Sequence, residues 1–445
     1  MMNETDFFGS EKIWKILARL APPVMLAQLI QALYNIVDSF YVGRFSEAGL
    51  TALSIIYPVQ LIIIAAAVGT GVGINTVMAR YFGVGKRKRA EECAGTGTIL
   101  AVSLWFVFAV FLYFFMPVYA AMSTSDAEVI EYTITYGRIT SVFSLGIFTE
   151  SVWSKVHQAS GNMKTPMLAQ IIGAVINIVL DPILIFGMFS MPRLGIAGAA
   201  IATVLGQFAA AFVVGLRGLK KPPVLSVIGK YVSNIYRAGV PAIMMQAAYT
   251  VYILGLNLIL KGFSNQAVTA LGLYYKWQTF FFIPLGGLQT CIVPVISYNY
   301  ARGDLSRCKS ILRESCIFGL LFMCIGIFCF EVLPRPLLML FSRDPLVIQI
   351  GIWGFRCIGL SFIPLVTSMI FPVYFQATAS GAESVTLTVV RTVVLFVPVA
   401  WLLSRFSLEA FWFTFPITDT VTSLLGFLFL FLKSRLRRKS LYAQR

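Results

Sequence analysis

The chain has 445 residues, of which 58% are hydrophobic and only 12% are charged, and its mean hydropathy is +0.82. A water-soluble domain carries about 25% charged residues, so this composition excludes a soluble enzyme, a disordered protein and an ordinary nucleic-acid-binding protein. The net charge of +16 would suggest nucleic acid in a polar chain, but in an apolar chain it indicates basic loops that face the cytoplasm. The sequence therefore predicts an all-α integral membrane protein.

Twelve segments qualify as membrane spans, since a helix needs about 20 apolar residues to cross a bilayer. In chain order they are 16–42, 50–79, 94–117, 129–154, 166–188, 195–216, 236–260, 267–299, 314–333, 346–375, 384–404 and 409–432. Several are long enough to imply tilted or bent helices, and interior prolines predict where the bends lie. These prolines are Pro58, Pro182, Pro284, Pro294, Pro364, Pro372, Pro398 and Pro416.

The basic residues predict the orientation of these spans. With the N-terminus in the cytoplasm, 25 of the 35 Lys and Arg residues fall on the cytoplasmic side and 6 on the outer side. This asymmetry favours cytoplasmic location of both termini and an even number of spans. The loop at 376–384 is the exception, because it is assigned to the cytoplasm and carries no basic residue.

The two halves of the chain repeat at an offset of 218 residues, so that 23–89 aligns with 241–307 without a gap. The identical pairs include Pro23/Pro241, Gln28/Gln246, Tyr34/Tyr252, Ser46/Ser264, Tyr57/Tyr275, Gln60/Gln278 and Gly85/Gly303. The same offset returns much later, at Gln158/Gln376. Two blocks in one register that include polar residues indicate a duplication.

We therefore expect an N-terminal six-helix bundle at 1–218 and a C-terminal six-helix bundle at 236–432. A cytoplasmic linker at 219–235 would join them, and a basic cytoplasmic tail would follow at 433–445. Because six spans return the chain to its starting side, both bundles enter the membrane in the same direction. They should be related by a pseudo-two-fold axis along the membrane normal, an arrangement found in alternating-access carriers.

Four motifs give the chain its family resemblance. They are LYNIVD at 33–38 followed by VG at 42–43, QASGNMKTP at 158–166, NIVLDP at 177–182 and GIAGAA at 195–200. The chain resembles the MATE (multidrug and toxic compound extrusion) transporters over essentially its whole length. The resemblance implies a bacterial type with acidic residues in the N-terminal half, which exports organic compounds across the inner membrane in exchange for H⁺ or Na⁺.

The first predicted span carries an acid, and a charge inside a span is costly enough to be a functional candidate. Asp38 lies about two thirds of the way along this outward-running segment. Gln31, Tyr34 and Asn35 precede it at spacings of three and four, and hence share its helix face. Gln31 and Tyr34 are candidates for the substrate cavity, and Asn35 and Asp38 for the coupling-ion site.

The fifth predicted span carries a second acid at a similar depth. Asp181 follows Asn177 by one helical turn. Pro182 has no N–H to donate, so the carbonyl of Ile178 is free for an ion or another donor. Thr203 in the sixth segment could add a further oxygen.

These oxygens suit Na⁺ or a proton shared between two acids, because desolvation and like-charge repulsion favour the neutral form of one carboxyl group. We expect binding and release of this cation to bend or straighten the first helix, and so to change which side of the cavity is open. The alternative is that Asp38 caps the outer end of its helix and Asp181 forms an Asp-Pro turn at the membrane surface.

The C-terminal half differs, since the repeat partner of Asp38 is Leu256. A second cation site is therefore doubtful. This half instead carries Lys276, Arg356 and Arg391 within spans, and Asp419 as its deep acid. Pairing of Asp419 with Arg391 or Lys276 is favoured, because charges inside a membrane usually pair.

The alternative for these basic residues is a cavity wall that contacts substrate. The candidates for the wall in this half are Gln246, Tyr249, Lys276 and Arg391.

The predicted function is a secondary active antiporter that exports amphipathic, cationic small molecules by alternating access. It would be a monomeric, multi-pass protein of the cytoplasmic membrane, without nucleic-acid partners, enzymatic activity or a cofactor other than the coupling ion, H⁺ or Na⁺. The alternative is a flippase for lipids or lipid-linked oligosaccharides of a related fold, which the basic second half keeps open.

Overall fold

The computed structural model describes residues 5–442, and side chains as far as residue 435, and within this range every regular element is a helix. The first half contains α1 (Phe7–Ser10), α2 (Ile13–Phe45), α3 (Glu47–Gly83), α4 (Arg87–Ser123), α5 (Ala127–Val142), α6 (Leu145–Ala159), α7 (Lys164–Phe186) and α8 (Ile196–Gly218). The second contains α9 (Leu225–Lys261), α10 (Asn265–Phe281), α11 (Ile283–Ala301), α12 (Leu305–Val332), α13 (Pro334–Met339), α14 (Pro345–Gly359), α15 (Phe362–Ala377), α16 (Gly381–Val389), α17 (Phe396–Ser404), α18 (Leu408–Phe411) and α19 (Thr414–Tyr442).

Contacts divide the chain into two compact units. Unit 1 comprises Met1–Ile243 with Ser297–Asp304, and unit 2 comprises Met244–Ile296 with Leu305–Arg445. Helix α9 begins at Leu225, so it extends into the stretch proposed as a linker at 219–235. The predicted bundle boundaries stay predictions, and residues 1–4 and 443–445 of the outermost segments lie outside the described residues.

The helices account for the predicted spans. Among residues 5–442, nine helical segments are long and apolar enough to cross a membrane, and the bent pairs α10–α11 and α14–α15 satisfy the same test when each is taken as one span. The remaining predicted segment, 129–154, falls on α5 and α6. This pair carries Arg138, Glu150 and Lys155, so its composition is more polar than that of the other spans. The all-helical membrane fold is confirmed, with nine to eleven of the twelve predicted spans identified among the described residues.

Three spans are broken rather than gently bent. Helices α10 and α11 meet at 48°, and α14 and α15 at 57°. Pro284 and Pro364 lie in the first turn of the second helix of each pair, where a missing N–H costs nothing. By contrast, Pro58 and Pro182 lie inside continuous helices. The prolines thus mark two of the breaks but not the break between α5 and α6.

The repeat is visible in local geometry. Ser46 and Ser264, identical in the two halves, each precede a helix and accept a hydrogen bond from the backbone N–H three residues on, at 3.3 and 3.1 Å. Gly85 and Gly303, also a repeat pair, both have a left-handed backbone, with φ of 72° and 80°. Glycine adopts this conformation without steric cost, which explains its presence at both turns.

Helices α7 and α8 of unit 1 pack closely at a pair of glycines. A Cβ atom added to Gly206 would lie 2.6 Å from the carbonyl oxygen of Gly173, and one added to Gly173 would lie 2.8 Å from that of Gly206. Such small residues let helix backbones approach each other in a membrane. This contact aligns Asn177, one turn beyond Gly173, with Thr203 on the neighbouring helix.

The loop at 376–384, which carries no basic residue of its own, receives one from the last helix. Lys433 forms an ion pair with Glu383 at 2.7 Å and contacts the hydroxyl of Ser380. Its amino group also lies 5.6 Å from the ring centroid of Phe375. The exception in the charge pattern therefore has a structural counterpart within unit 2.

Candidate ion and substrate site

The two acids predicted to bind the coupling ion lie inside helices of unit 1 and are buried. Asp38 is 8% exposed and α2 continues beyond it to Phe45, while Asp181 is 0% exposed and α7 continues to Phe186. Neither residue caps a helix end, so the alternative of two surface caps is wrong. Helices α2 and α7 pack against each other, which brings these acids into the same part of unit 1.

A hydrogen-bonded amide links the second acid to the next helix. The side-chain nitrogen of Asn177 donates to Asp181 Oδ1 and to Thr203 Oγ1, both at 3.4 Å. Three neighbouring oxygens, Asp38 Oδ1, Asn177 Oδ1 and Asp181 Oδ2, are buried without a hydrogen-bond partner in the part of the chain that the structure describes. Buried polar atoms are normally paired, so these oxygens are the candidate ligands for a cation or a proton.

Two tyrosines interact electrostatically with the acids, and one of them also makes hydrogen bonds in the same part of unit 1. Tyr34 interacts electrostatically with Asp38, Asp181 and Glu150. Asp38 also interacts electrostatically with Asp181. Tyr136 on α5 is 2% exposed and makes side-chain hydrogen bonds with Thr203 and Gln60. Its position in this network was missed by sequence reasoning, because tyrosines are common on lipid-facing helices and nothing in the spacing distinguishes this one.

Asn35 does not join the cluster. Its side chain is exposed, and its backbone carbonyl accepts a hydrogen bond from Ser39 at 2.9 Å. Within residues 5–442 no hydrogen bond connects the Asn35 side chain to Asp38 or Asp181. Its assignment to the ion site therefore stays a prediction, while the geometry groups Asp38, Asn177 and Asp181 with Thr203.

These residues fit a proton or Na⁺. Carboxylate, amide and hydroxyl oxygens are hard ligands of the kind that alkali and alkaline-earth cations prefer. A proton could equally be shared between two carboxyl groups held close together in a buried site. Among the described residues no group of three His, Cys, Asp or Glu side chains is suited to a transition metal.

A polar pocket adjoins the acids within unit 1. Its wall consists of Gln31, Tyr34, Ile147, Glu150, Gln170, Gly173, Ala174, Asn177, Thr203, Gly206, Gln207 and Ala210. The two candidates for the substrate cavity in this half, Gln31 and Tyr34, both line it. Its one acidic wall residue, Glu150, accepts hydrogen bonds from Ser154 at 2.7 Å and Gln170 at 3.1 Å.

Two of the deep charges of unit 2, Arg391 and Asp419, form an ion pair. Arg391 Nε lies 2.7 Å from Asp419 Oδ1, which also accepts a hydrogen bond from Ser368 at 2.8 Å. Arg391 lies in a π-helical turn, Val390–Leu395, and its guanidinium group is 5.1 Å from the ring centroid of Phe396. The favoured pairing of Asp419 with a basic residue is realised with Arg391.

The other wall candidates of unit 2 lie apart from this pair. Lys276 is exposed, and its amino group lies 4.9 Å from the ring centroid of Phe341. Tyr249 packs edge-on against Tyr252 with ring centroids 5.1 Å apart, and Tyr252 packs in turn on Phe396. Gln246 is partly exposed. The four candidates therefore do not form one cluster.

Repeated halves of membrane-spanning helices are the architecture of many membrane transporters. The chain belongs to the MatE family, whose model matches residues 23–183 and again residues 241–402. The two matches begin 218 residues apart, which is the offset of the internal repeat. The predicted resemblance to MATE transporters is confirmed.

Curated relatives cover most of the chain at low identity. Multidrug export protein MepA of Staphylococcus haemolyticus is 23% identical over 97% of this chain and 96% of its own length. A FAD transporter of Shewanella oneidensis is 25% identical over 90% of both chains. The probable multidrug resistance protein NorM of Thermotoga maritima is 25% identical over 78% of this chain and 76% of its own length.

Solved structures share the fold. A multidrug resistance MATE family transporter in an outward-facing conformation matches with a TM-score of 0.91 at 21% identity, over 100% of both chains. A MOP superfamily transporter from Pyrococcus furiosus, described as having a binding pocket of reversed polarity, matches with a TM-score of 0.89 at 22% identity, over 99% of both chains.

Proposed function

We propose that this protein is a secondary active antiporter that exports amphipathic organic cations in exchange for H⁺ or Na⁺. The observation that carries the proposal is the buried pair Asp38 and Asp181, whose unpaired oxygens adjoin a polar pocket in unit 1. Relatives named as a multidrug export protein and a probable multidrug resistance protein support the substrate class.

The coupling follows from the cost of burying charge. With both acids ionised and no cation present, desolvation and mutual repulsion destabilise the site, so uptake of one cation is favoured. We propose that loss of that cation changes the bend of α2, which contains Pro22 and Pro23. A gradient equivalent to 100 mV supplies about 2.3 kcal/mol per charge, enough for a roughly fifty-fold substrate gradient.

The distribution of charge supports a cationic substrate. Glu150 gives the pocket of unit 1 an acidic wall, whereas the charge of Arg391 in unit 2 is neutralised by Asp419. The flippase alternative depended on basic residues in the second half. Because Asp419 neutralises Arg391, fewer of these positive charges are available to bind an anionic lipid. The relative named as a FAD transporter makes an anionic aromatic compound the useful comparison substrate.

The location and assembly complete the proposal. We propose that the chain lies in the cytoplasmic membrane as a monomer, with both termini in the cytoplasm, so that α2 runs outward and α6 inward. We further propose that it acts without catalysis, without nucleic acid and without a cofactor other than the coupling ion.

Purified protein in liposomes tests the function. Uptake of ethidium, a planar organic cation, should follow an imposed pH gradient or an imposed sodium gradient, and Asp38→Asn and Asp181→Asn should abolish the ion-driven component. Full ion-driven activity in both variants would contradict the proposed site. Movement of a labelled lipid instead of ethidium would support the flippase.

A matched control is available on the surface of α4. The side chain of Glu91 is 46% exposed and pairs with Arg87 at 3.5 Å, far along the chain from the buried acids. Glu91→Gln removes the same charge without touching the pocket, so its ethidium transport should equal that of the wild type.

A further inference from the structure

The pocket of unit 1 begins beside the acidic pair, at Asn177, and continues away from it along α7. Along α7, Asp181 is followed towards the N-terminal end of the helix by Asn177 and then by Gln170. At 1.5 Å per residue, Gln170 lies about 16 Å from Asp181 along the helix axis. Both Asn177 and Gln170 line the pocket, so this polar wall runs from the acids towards the opposite end of α7.

A third acid closes the far end of that wall. Glu150 on α6 is 8% exposed and accepts a hydrogen bond from Gln170 at 3.1 Å. Its position in α6 is nearly two and a half turns before the end of the helix at Ala159, where the chain turns towards α7. Ser154 and the hydrogen-bonded pair of Lys155 and Gln158 occupy the stretch between.

The two oxygens of Glu150 differ. Oε1 accepts hydrogen bonds from both Ser154 and Gln170, so its position is fixed and its lone pairs are already used. No hydrogen bond from a described residue ends on Oε2. Because the residue lines the pocket, Oε2 is the atom that can take and release a proton there.

One side chain interacts electrostatically with all three acids. The hydroxyl of Tyr34 is in the fields of Asp38, Glu150 and Asp181, and Tyr34 lines the pocket one turn below Asp38 on α2. A phenolic hydroxyl both donates and accepts, so it can pass a proton by exchanging one for another. A polar pocket of this kind also has the partners that water needs.

The surroundings of Glu150 offer few other charges. Tyr34 acts on it across the pocket and Lys155 acts on it from its own helix. Helix α7 faces it with Gln170, and α8 contributes Gln207 to the same pocket wall. Helices α3 and α4 present Gly71 to the Lys155 side chain and Gly97 to that of Val152.

We propose that Glu150 is the inner proton carrier of unit 1, which receives the proton released by the Asp38–Asp181 pair and delivers it to the cytoplasmic end of the helices. The inference rests on the proposed antiport and commits it to H⁺. In the first step the O–H bond at the pair breaks, Tyr34 or a water accepts that proton and donates its own, and a new O–H bond forms at Glu150 Oε2. In the second step that bond breaks and water at the end of α6 takes the proton, leaving both sites anionic.

The test compares Glu150→Gln, Glu150→Asp and the control Glu91→Gln in liposomes. Glutamine keeps the Oε1 acceptor for Ser154 and Gln170 and cannot carry a proton, so the fold should survive. Glu150→Gln should still exchange ethidium for ethidium without an ion gradient, at a rate lowered only severalfold by the loss of negative charge from the pocket wall. Its uptake driven by a pH gradient should fall about a hundredfold, a typical effect of losing one positioned proton carrier. Glu150→Asp should recover part of the driven rate.

A second readout does not depend on transport. Infrared difference spectra of the purified protein between acidic and alkaline buffer should contain a carboxyl band that is absent in Glu150→Gln and present in Glu91→Gln. If the wild type moves no ethidium under any gradient, the proposed function fails, and this band alone then decides whether Glu150 exchanges a proton.

Four results would overturn the relay. They are an undiminished driven rate in Glu150→Gln, a parallel loss of ethidium exchange in that variant, wild-type uptake driven by sodium alone, and the absence of a Glu150 carboxyl band. Parallel loss would make Glu150 a substrate ligand or a structural residue instead.

Discussion

The glycine contact between α7 and α8 makes a quantitative prediction about the ion site. In Gly206→Ala the new methyl group would lie 2.6 Å from the backbone oxygen of Gly173, whereas ordinary contacts begin at 3.4 Å. A backbone atom cannot rotate away, so the helices must separate by roughly 0.4–0.8 Å, since close-packed interiors have no free space to absorb the clash.

That separation has two costs. Overpacking of this kind destabilises by about 1–3 kcal/mol. The Asn177–Thr203 hydrogen bond, already 3.4 Å long, would be lost at a further cost of about 1 kcal/mol. We therefore expect Gly206→Ala to lower the free energy of unfolding by about 2–4 kcal/mol and to weaken ion-driven ethidium transport.

The assay is thermal unfolding in detergent, followed with a dye that reacts with cysteine thiols as they become exposed. Among the described residues none of the seven cysteines forms a disulfide bond and four of them are buried, so the signal reports loss of packing. Gly229→Ala is the matched control, because a Cβ atom there meets nothing within 4 Å. In α9 this change should stabilise the helix by up to about 1 kcal/mol. A Gly206→Ala protein as stable as Gly229→Ala would refute the reasoning.

Three further predictions concern other parts of the chain. Arg391→Met should destabilise unit 2 by about 3–5 kcal/mol because Asp419 is left charged and unpaired, and the double variant with Asp419→Leu should recover most of the loss in thermal unfolding. Asp181→Asn should flatten the dependence of the initial ethidium transport rate on pH, since one of two protonation sites is removed, and a profile parallel to that of the wild type would contradict the shared site. Phe8→Ala should cost about 3–5 kcal/mol, measured as a lower unfolding midpoint, because this side chain is 0% exposed and packs edge-on against Tyr298 within unit 1.

Hydropathy predicted the spans well because the bilayer imposes one length on every crossing helix. The acids and their amide neighbour were also accessible, because a charge in an apolar run stands out and a spacing of four places Asn177 beside Asp181. Apolar length could not locate the helix break at Phe143–Ser144, where no proline marks the chain. Nor could it foresee the π-helical turn around Arg391, which depends on packing rather than on residue type.

The far end of the pocket was harder to predict. Glu150 falls within the predicted span 129–154, but the pocket that joins it to Gln170 depends on how α6, α7 and α2 pack. For Asn35 the sequence predicted a site residue that the structure does not group with the acids. The spacing of three residues places Asn35 on the helix face of Asp38, but its side chain is exposed. Periodicity assigns a residue to a face of its own helix and says nothing of what that face meets.

The ion pair between Glu383 and Lys433 has a consequence for biogenesis. Lys433 lies 50 residues after Glu383, so the ribosome makes the loop before it makes the residue that neutralises it. The positive charge that holds this loop in the cytoplasm is therefore made after the loop itself, as part of the last helix to enter the bilayer. Truncation ahead of Lys433 should accordingly disturb insertion of the preceding helices, even though every one of their own residues is intact.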